Sequence, residues 1–256
     1  AHFVGDPVSS GLPALDALLG GGPLRGTCTL ISGPAGSGKT SIALRYIAAA
    51  CARGERSVLY EFDERIGTLL FRAAKQGIDL QAHVDSGHLL LRQIDPAEIS
   101  PGEFSAMLRH EVEREKVQLV VIDSLNGYEA AMPQEKQLVL QMHELLSYLN
   151  QQGVATLLIN AHHGMVGSMH STLNISYIAD AVLLLRFFEA DGQVRKALAV
   201  LKNRGGGHEN SIREMRIDQD GIRIGEPLTA FQGVLTGTPT YVGQASPLLT
   251  DRGFDA

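Results

Sequence analysis

Gly33-Pro34-Ala35-Gly36-Ser37-Gly38-Lys39-Thr40 follows an apolar run ending at Ile31 and leads into a stretch of helical periodicity. Strand, glycine-rich loop and helix in that order are the context a phosphate-binding P-loop requires. The glycines let the backbone close around a phosphate chain so that several N–H groups point inward. The helix that follows adds the positive end of its dipole. Lys39 is expected to reach the β- and γ-phosphates and Thr40 to hold Mg²⁺, with Ser41 completing the nucleotide-binding set.

Working outward, apolar runs and helical periods alternate. Strands are predicted over 27–32, 57–62, 89–93, 119–122 and 155–160, and helices over 39–53, 66–76, 101–116 and 134–151. Such repetition implies a parallel sheet covered by helices on both faces. The pattern changes after His162. A small, polar stretch over 164–174 precedes three strand-like runs, 181–188, 196–202 and 212–217, with no helix between them. Asp191-Gly192 is a hairpin signal between the first two, so an antiparallel extension of the sheet is expected. From 237 onward Gly, Pro, Ser and Thr recur without apolar period. The reading is one α/β domain over 1–236 and an extended or mobile tail over 237–256.

Composition fits one such domain: 256 residues, 44% of them hydrophobic, can bury a substantial core. A formal charge of -6 offers no overall attraction for nucleic acid or an anionic membrane. No apolar run approaches the ~18 residues that suggest a membrane-spanning helix. The two cysteines, Cys28 and Cys51, lack metal-ligand spacing and read as reduced, packed thiols in a cytoplasmic protein. A start at Ala1 rather than Met leaves room for a longer parent chain.

Asp123 ends the apolar run Leu119-Val120-Val121-Ile122 and is expected at the carboxyl edge of the sheet, where the P-loop also lies. A carboxylate there suits Mg²⁺ or its water shell. Asp63-Glu64 follows Val58-Leu59-Tyr60-Glu61-Phe62, so at least one of the pair is expected to face the γ-phosphate. Glu64 is the expected catalytic base on reach, assisted by Asp63. An acidic turn opening the next helix explains the same spacing. Lys202-Asn203-Arg204-Gly205-Gly206-Gly207-His208 joins two cations and a histidine in a glycine-rich loop. Taken alone it reads first as a solvated basic turn, but Arg204 suits bidentate phosphate contact and Lys202 a point charge. Asn160 is either a structural amide or a γ-phosphate sensor. Lys75 reads as a solvated helix-end lysine and His162-His163 as a polar pair without a third ligand.

Together these residues resemble the KaiC-like branch of the RecA superfamily of P-loop ATPases, over 9–240, with greatest similarity to the second domain of the KaiC proteins. The resemblance is carried by Ser9-Ser10-Gly11-Leu12-Pro13-Ala14-Leu15-Asp16 with Gly20-Gly21-Gly22, by the P-loop, by Phe62-Asp63-Glu64, and by Lys202-x-Arg204-Gly205 with His208. It implies a RecA-like fold, ATP and Mg²⁺ as cofactors, and a homo-oligomeric ring, a hexamer in the family. In that ring Lys202, Asn203, Arg204 and His208 would reach the nucleotide of the neighbouring subunit. Two departures stand out. Asp63 replaces a glutamate, and in the segment aligned with the family's phosphorylation site Ser176 is kept while Tyr177 takes the threonine position.

Three functions compete on this reading. The first is a clock-related or signalling ATPase with Ser176 as a candidate phosphoacceptor. The second is a nucleotide-gated platform recruiting regulatory proteins with little turnover, which the Asp63 substitution favours. The third is a DNA motor, opposed by the acidic balance, the absence of Trp and the lack of a basic and aromatic strip.

Overall fold

A computed structural model describes residues 5–95, 97–130, 135–162, 178–235 and 239–242. Ser176, Tyr177, His163, the 164–174 stretch and the segment from 243 onward lie outside the described residues.

The described residues build a nine-stranded sheet. Six strands run parallel: β1 (Cys28–Pro34), β2 (Ser57–Glu61), β3 (Leu89–Gln93), β4 (Leu119–Asp123), β5 (Ala155–His162) and β6 (Ala181–Ala190), in the spatial order β3-β2-β4-β5-β1-β6. Beyond β6 the order continues through β7 (Gln193–Asn203), β8 (Arg213–Asp218) and β9 (Gly221–Pro227), all paired antiparallel. This is the RecA-like P-loop ATPase architecture: a mostly parallel sheet flanked by helices, with an antiparallel extension.

Successive side chains of a strand face opposite sides of the sheet, and the apolar residues divide accordingly into two layers. Leu30 and Ile31 of β1 join different layers, as do Val120 and Val121 of β4 and Leu158 and Leu157 of β5. One layer is covered by α1 (Pro13–Leu18), α2 (Lys39–Ala52), α3 (Ile66–Ala74) and α4 (Leu80–Asp85). The other is covered by α5 (Pro101–Arg114), α6 (Leu125–Ala130) and α7 (Glu135–Gln151). Strands buried on both faces leave no polar side to place in water, hence the unbroken apolar run Leu119–Ile122 and the fully buried Cys28–Ile31, interrupted only by Thr29. Cys28 and Cys51 are buried free thiols.

The β6–β7 hairpin turns on Asp191 and Gly192, both at positive φ (54° and 69°), which is the two-residue turn matched to strand twist. Five features exceed the sequence expectation. α1, α4 and α6 are six-residue helices, too short to display a period. β9 pairs with β8 across Gln219-Asp220. Finally, β10 (Phe231–Gln232) pairs with β11 (Thr240–Tyr241), which holds the chain against Phe188 through Phe231.

The leading segment is tied to the Lys202–His208 loop. Asp16 accepts the Ser9 hydroxyl at 2.6 Å and the Ser10 N–H at 2.8 Å. A Cβ on Gly20 would stand 2.2 Å from the Gly207 carbonyl oxygen, a contact only glycine permits. Asn203 Nδ2 donates to the Leu19 carbonyl at 3.1 Å and the Glu209 N–H to the Leu18 carbonyl at 3.1 Å, so both ends of the loop are fastened to the leading segment.

Candidate active site

β1 ends in the P-loop, and α2 begins at Lys39 directly after Gly38, which caps the helix in the left-handed region at φ 108°. A Cβ on Gly38 would meet Ile217 Cδ1 at 2.4 Å, so the loop is pressed against β8 with no room for a side chain. A cavity of about 330 Å³ opens over this loop, lined by Gly36, Gly38, Lys39, Thr40 and Ser41, with Arg72 and Gln76 from the α3 side and Lys196 and Ile217 from the antiparallel strands. The Ser37 hydroxyl is buried without a hydrogen-bond partner.

Lys39 is buried and donates from Nζ to the Pro34 carbonyl at 2.8 Å. Burial pulls its ammonium below the usual lysine range, an effect that Asp123 opposes. A phosphate in the cavity would oppose it further. Thr40 donates its hydroxyl to Asp123 Oδ2 at 2.6 Å, so the two oxygen donors foreseen for Mg²⁺ stand together. Burial raises the Asp123 carboxyl to about 6, and Asp63 adds to the rise while Thr40, Lys39 and Arg72 lower it. Among the described residues no group of three or more His, Cys, Asp and Glu forms a metal cage. A hydroxyl and a carboxylate fit Mg²⁺, which is usually held by one or two carboxylates together with substrate phosphates and water.

The acidic turn after β2 is shaped by a residue the sequence reading left without a role. Glu61 is 2% exposed, and its Oε1 accepts the N–H of Glu64 at 3.0 Å and of Asp63 at 3.3 Å. It pairs in register with Asp123 on β4. Burial first, and Asp123 second, push its carboxyl up to about 8, against the lowering effect of the two N–H donors. A charged residue inside a buried strand, one position before Phe62-Asp63-Glu64, was the available signal. The Asp63 carboxylate accepts the Ser124 hydroxyl at 2.5 Å. The Glu64 carboxylate is gripped by Arg72, with Nη2 to Oε2 at 2.6 Å and Nε to Oε1 at 3.3 Å.

Lys202, Asn203, Arg204 and His208 do not join this group. Ala181 of β6 pairs with both Thr29 of β1 and Asn203 of β7. The end of β7 is therefore level with the start of β1, whereas the P-loop follows its other end. At roughly 3.3 Å per residue, Thr29 and Pro34 are about 17 Å apart. Lys202 Nζ donates to the Ala179 carbonyl at 2.5 Å, and the Arg204 N–H donates to the Asp180 carbonyl at 2.8 Å. The opposite end of β7 carries Lys196, which does reach the P-loop cavity. Sequence spacing gave no sign of this, because the approach is made across β6 rather than along the chain. Asn160, 5% exposed, stands in register with Ser32 at the P-loop end of the sheet. Lys75 places Nζ 4.7 Å over the Phe71 ring at the end of α3.

Comparison with known proteins agrees with this geometry. The model of a family described as "ATPase: KaiC" matches residues 8–229. Among curated relatives, the Circadian clock protein KaiC3 of Synechocystis sp. is 30% identical over 93% of this chain and 47% of its own length. The Circadian clock oscillator protein KaiC of Acaryochloris marina is 29% identical over 92% of this chain and 45% of its own. The protein of the same description from Thermosynechococcus vestitus gives the same figures, 29%, 92% and 45%. The chain thus spans about half the length of the curated relatives it matches. No helix among the described residues is long and apolar enough to cross a membrane.

Proposed function

This chain belongs to the KaiC family of P-loop ATPases, and from that premise we propose that it binds Mg²⁺-ATP and hydrolyses it as a subunit of a homo-oligomeric ring. A hexamer is the form this reading expects, with nucleotide at the subunit interfaces and a clock-related or signalling output in the cytoplasm. The observation that carries the proposal is the separation along β7: Lys196 lines the protomer's own P-loop cavity, while Lys202 and Arg204 lie at the other end of the strand. Cations that distant from their own P-loop can serve a triphosphate only on a neighbour.

In this mechanism Lys39 and the loop N–H groups bind the phosphates, and Thr40 with Asp123 would hold Mg²⁺. The bound ion supplies neutralisation of charge on the phosphoryl group in transfer. Glu64, with Asp63 beside it, takes the proton of the attacking water. The water oxygen bonds to the γ-phosphorus as the bridging bond to the β-phosphate breaks, giving ADP and phosphate. Lys202 and Arg204 of the adjacent subunit stabilise the equatorial oxygens, so that turnover depends on assembly. The test is ATPase activity as a function of concentration beside the native mass of the assembly. Turnover that rises with ring formation is expected, and full turnover by a monomer rejects the proposal.

Ser176 is the phosphoacceptor of the same proposal, with its hydroxyl taking the place of water at the γ-phosphorus. Intact-mass measurement after incubation with Mg²⁺-ATP tests it. The expected gain is one phosphate, and no gain in an active ring removes Ser176 from the scheme. A recruitment platform with slow turnover remains the second reading, favoured by Asp63, whose arm is one methylene shorter than that of the family's glutamate.

A further inference from the structure

The acid expected to take the proton from water is not left to itself. Glu64 lies on the turn between β2 and α3, where its backbone is pinned twice: its N–H by Glu61 Oε1 at 3.0 Å and its carbonyl by Gln93 Nε2 at 3.0 Å. The side chain still has its own rotamers. Arg72, two turns along α3, takes the carboxylate in a two-point grip through Nη2 and Nε. Arg72 also lines the P-loop cavity together with Lys39, Thr40 and Ser41. The guanidinium edge formed by Nε and Nη2 is occupied by the carboxylate, so the acid is tied directly to a side chain that lines the cavity.

We propose that Arg72 is a positioning residue for the hydrolytic step, holding the Glu64 carboxylate at the rim of the phosphate cavity from within the same protomer. This deepens the ATPase reading and rests on it. The two-point geometry fixes the plane of the acid as well as its place, which a lysine ammonium does only in part. Orientation of this kind acts on turnover rather than on nucleotide binding, because a catalytic group displaced by about 1 Å can cost on the order of 100-fold in rate.

The test is a double-mutant cycle in the assembled protein on Arg72→Gln, Glu64→Gln and the pair, with kcat and KM measured beside the affinity for a non-hydrolysable ATP analogue. Arg72→Gln is expected to lower kcat by roughly 10- to 100-fold while analogue affinity and assembly are kept. The double variant is expected to be no slower than Glu64→Gln alone, and Arg72→Lys to recover part of the rate. Losses that multiply in the double variant, or an Arg72→Gln loss that lies in affinity with kcat intact, overturn the assignment while leaving the ATPase reading in place. A parent chain that binds ATP in an assembled ring without hydrolysing it overturns both.

Discussion

Thr40 and Asp123 are 83 positions apart in sequence and 2.6 Å apart in space, hydroxyl to carboxylate. The bond joins the first turn of α2 to the end of β4, so the helix that follows the phosphate loop and the strand that carries the acid are set against each other. Asp123→Ala is expected to abolish the Mg²⁺ dependence of nucleotide binding and to lower turnover by at least about 100-fold, on the order of what a misplaced catalytic group costs. Titration of binding with and without Mg²⁺ checks it, and an unchanged Mg²⁺ response would remove Asp123 from the metal site.

Gly38 combines a φ of 108° with a Cβ direction blocked 2.4 Å away by Ile217. Gly38→Ala should therefore cost about 1–3 kcal/mol of stability through strain and should also push the loop off β8, weakening nucleotide binding. Ile217→Val shortens the blocking side chain and is expected to restore part of the binding to Gly38→Ala. Thermal unfolding together with nucleotide titration reads both effects, and an additive Ile217→Val loss would contradict the contact.

Stability of the nucleotide-free protein is expected to fall as pH rises. Glu61 is held protonated up to about 8 in the folded chain, chiefly by burial, and Asp123 up to about 6 for the same reason. Between the ordinary carboxyl range and those values the folded state binds protons that the unfolded chain has released, so deprotonation favours unfolding. Melting temperature from about pH 5 to about pH 9 should decline, and Glu61→Gln should flatten the decline. A melting temperature that rises over this window in the parent chain would show that these acids are ionised when folded.

Much of the fold was legible because burial on both faces of a parallel sheet writes itself as an unbroken apolar run, as in Leu119–Ile122, and the half-buried edge strand Leu89–Gln93 was also placed to the residue. Gly54, just past the end of α2, marked its stop with a φ of 82°. Short elements escaped. α1, α4 and α6 have too few residues for a period, and β9 was overlooked although Asp220-Gly221 marks the turn before it. At the site, the sequence points only to residues that belong to its motifs. Arg72, Gln76, Lys196 and Ile217 reach the cavity from α3, its C-terminal turn and the antiparallel strands, a convergence created by strand order that no local spacing encodes. Glu61 was passed over as part of a strand, yet its hydrogen bonds shape the acidic turn.

Lys202→Ala combined with Arg204→Ala is expected to keep nucleotide affinity and assembly while losing turnover by about 1,000-fold or more, the scale of a missing arginine finger. Lys39→Ala is expected to lose the nucleotide itself. Each variant alone should be nearly inactive, for different reasons.

The most direct measurement mixes those two variants. A ring in which Lys39→Ala subunits alternate with Lys202→Ala, Arg204→Ala subunits contains interfaces where an intact P-loop meets intact cations. ATPase activity should reappear on mixing, in proportion to the frequency of such interfaces. Mixed rings verified by native mass that remain as inactive as either parent variant would contradict completion of the site by the neighbouring subunit.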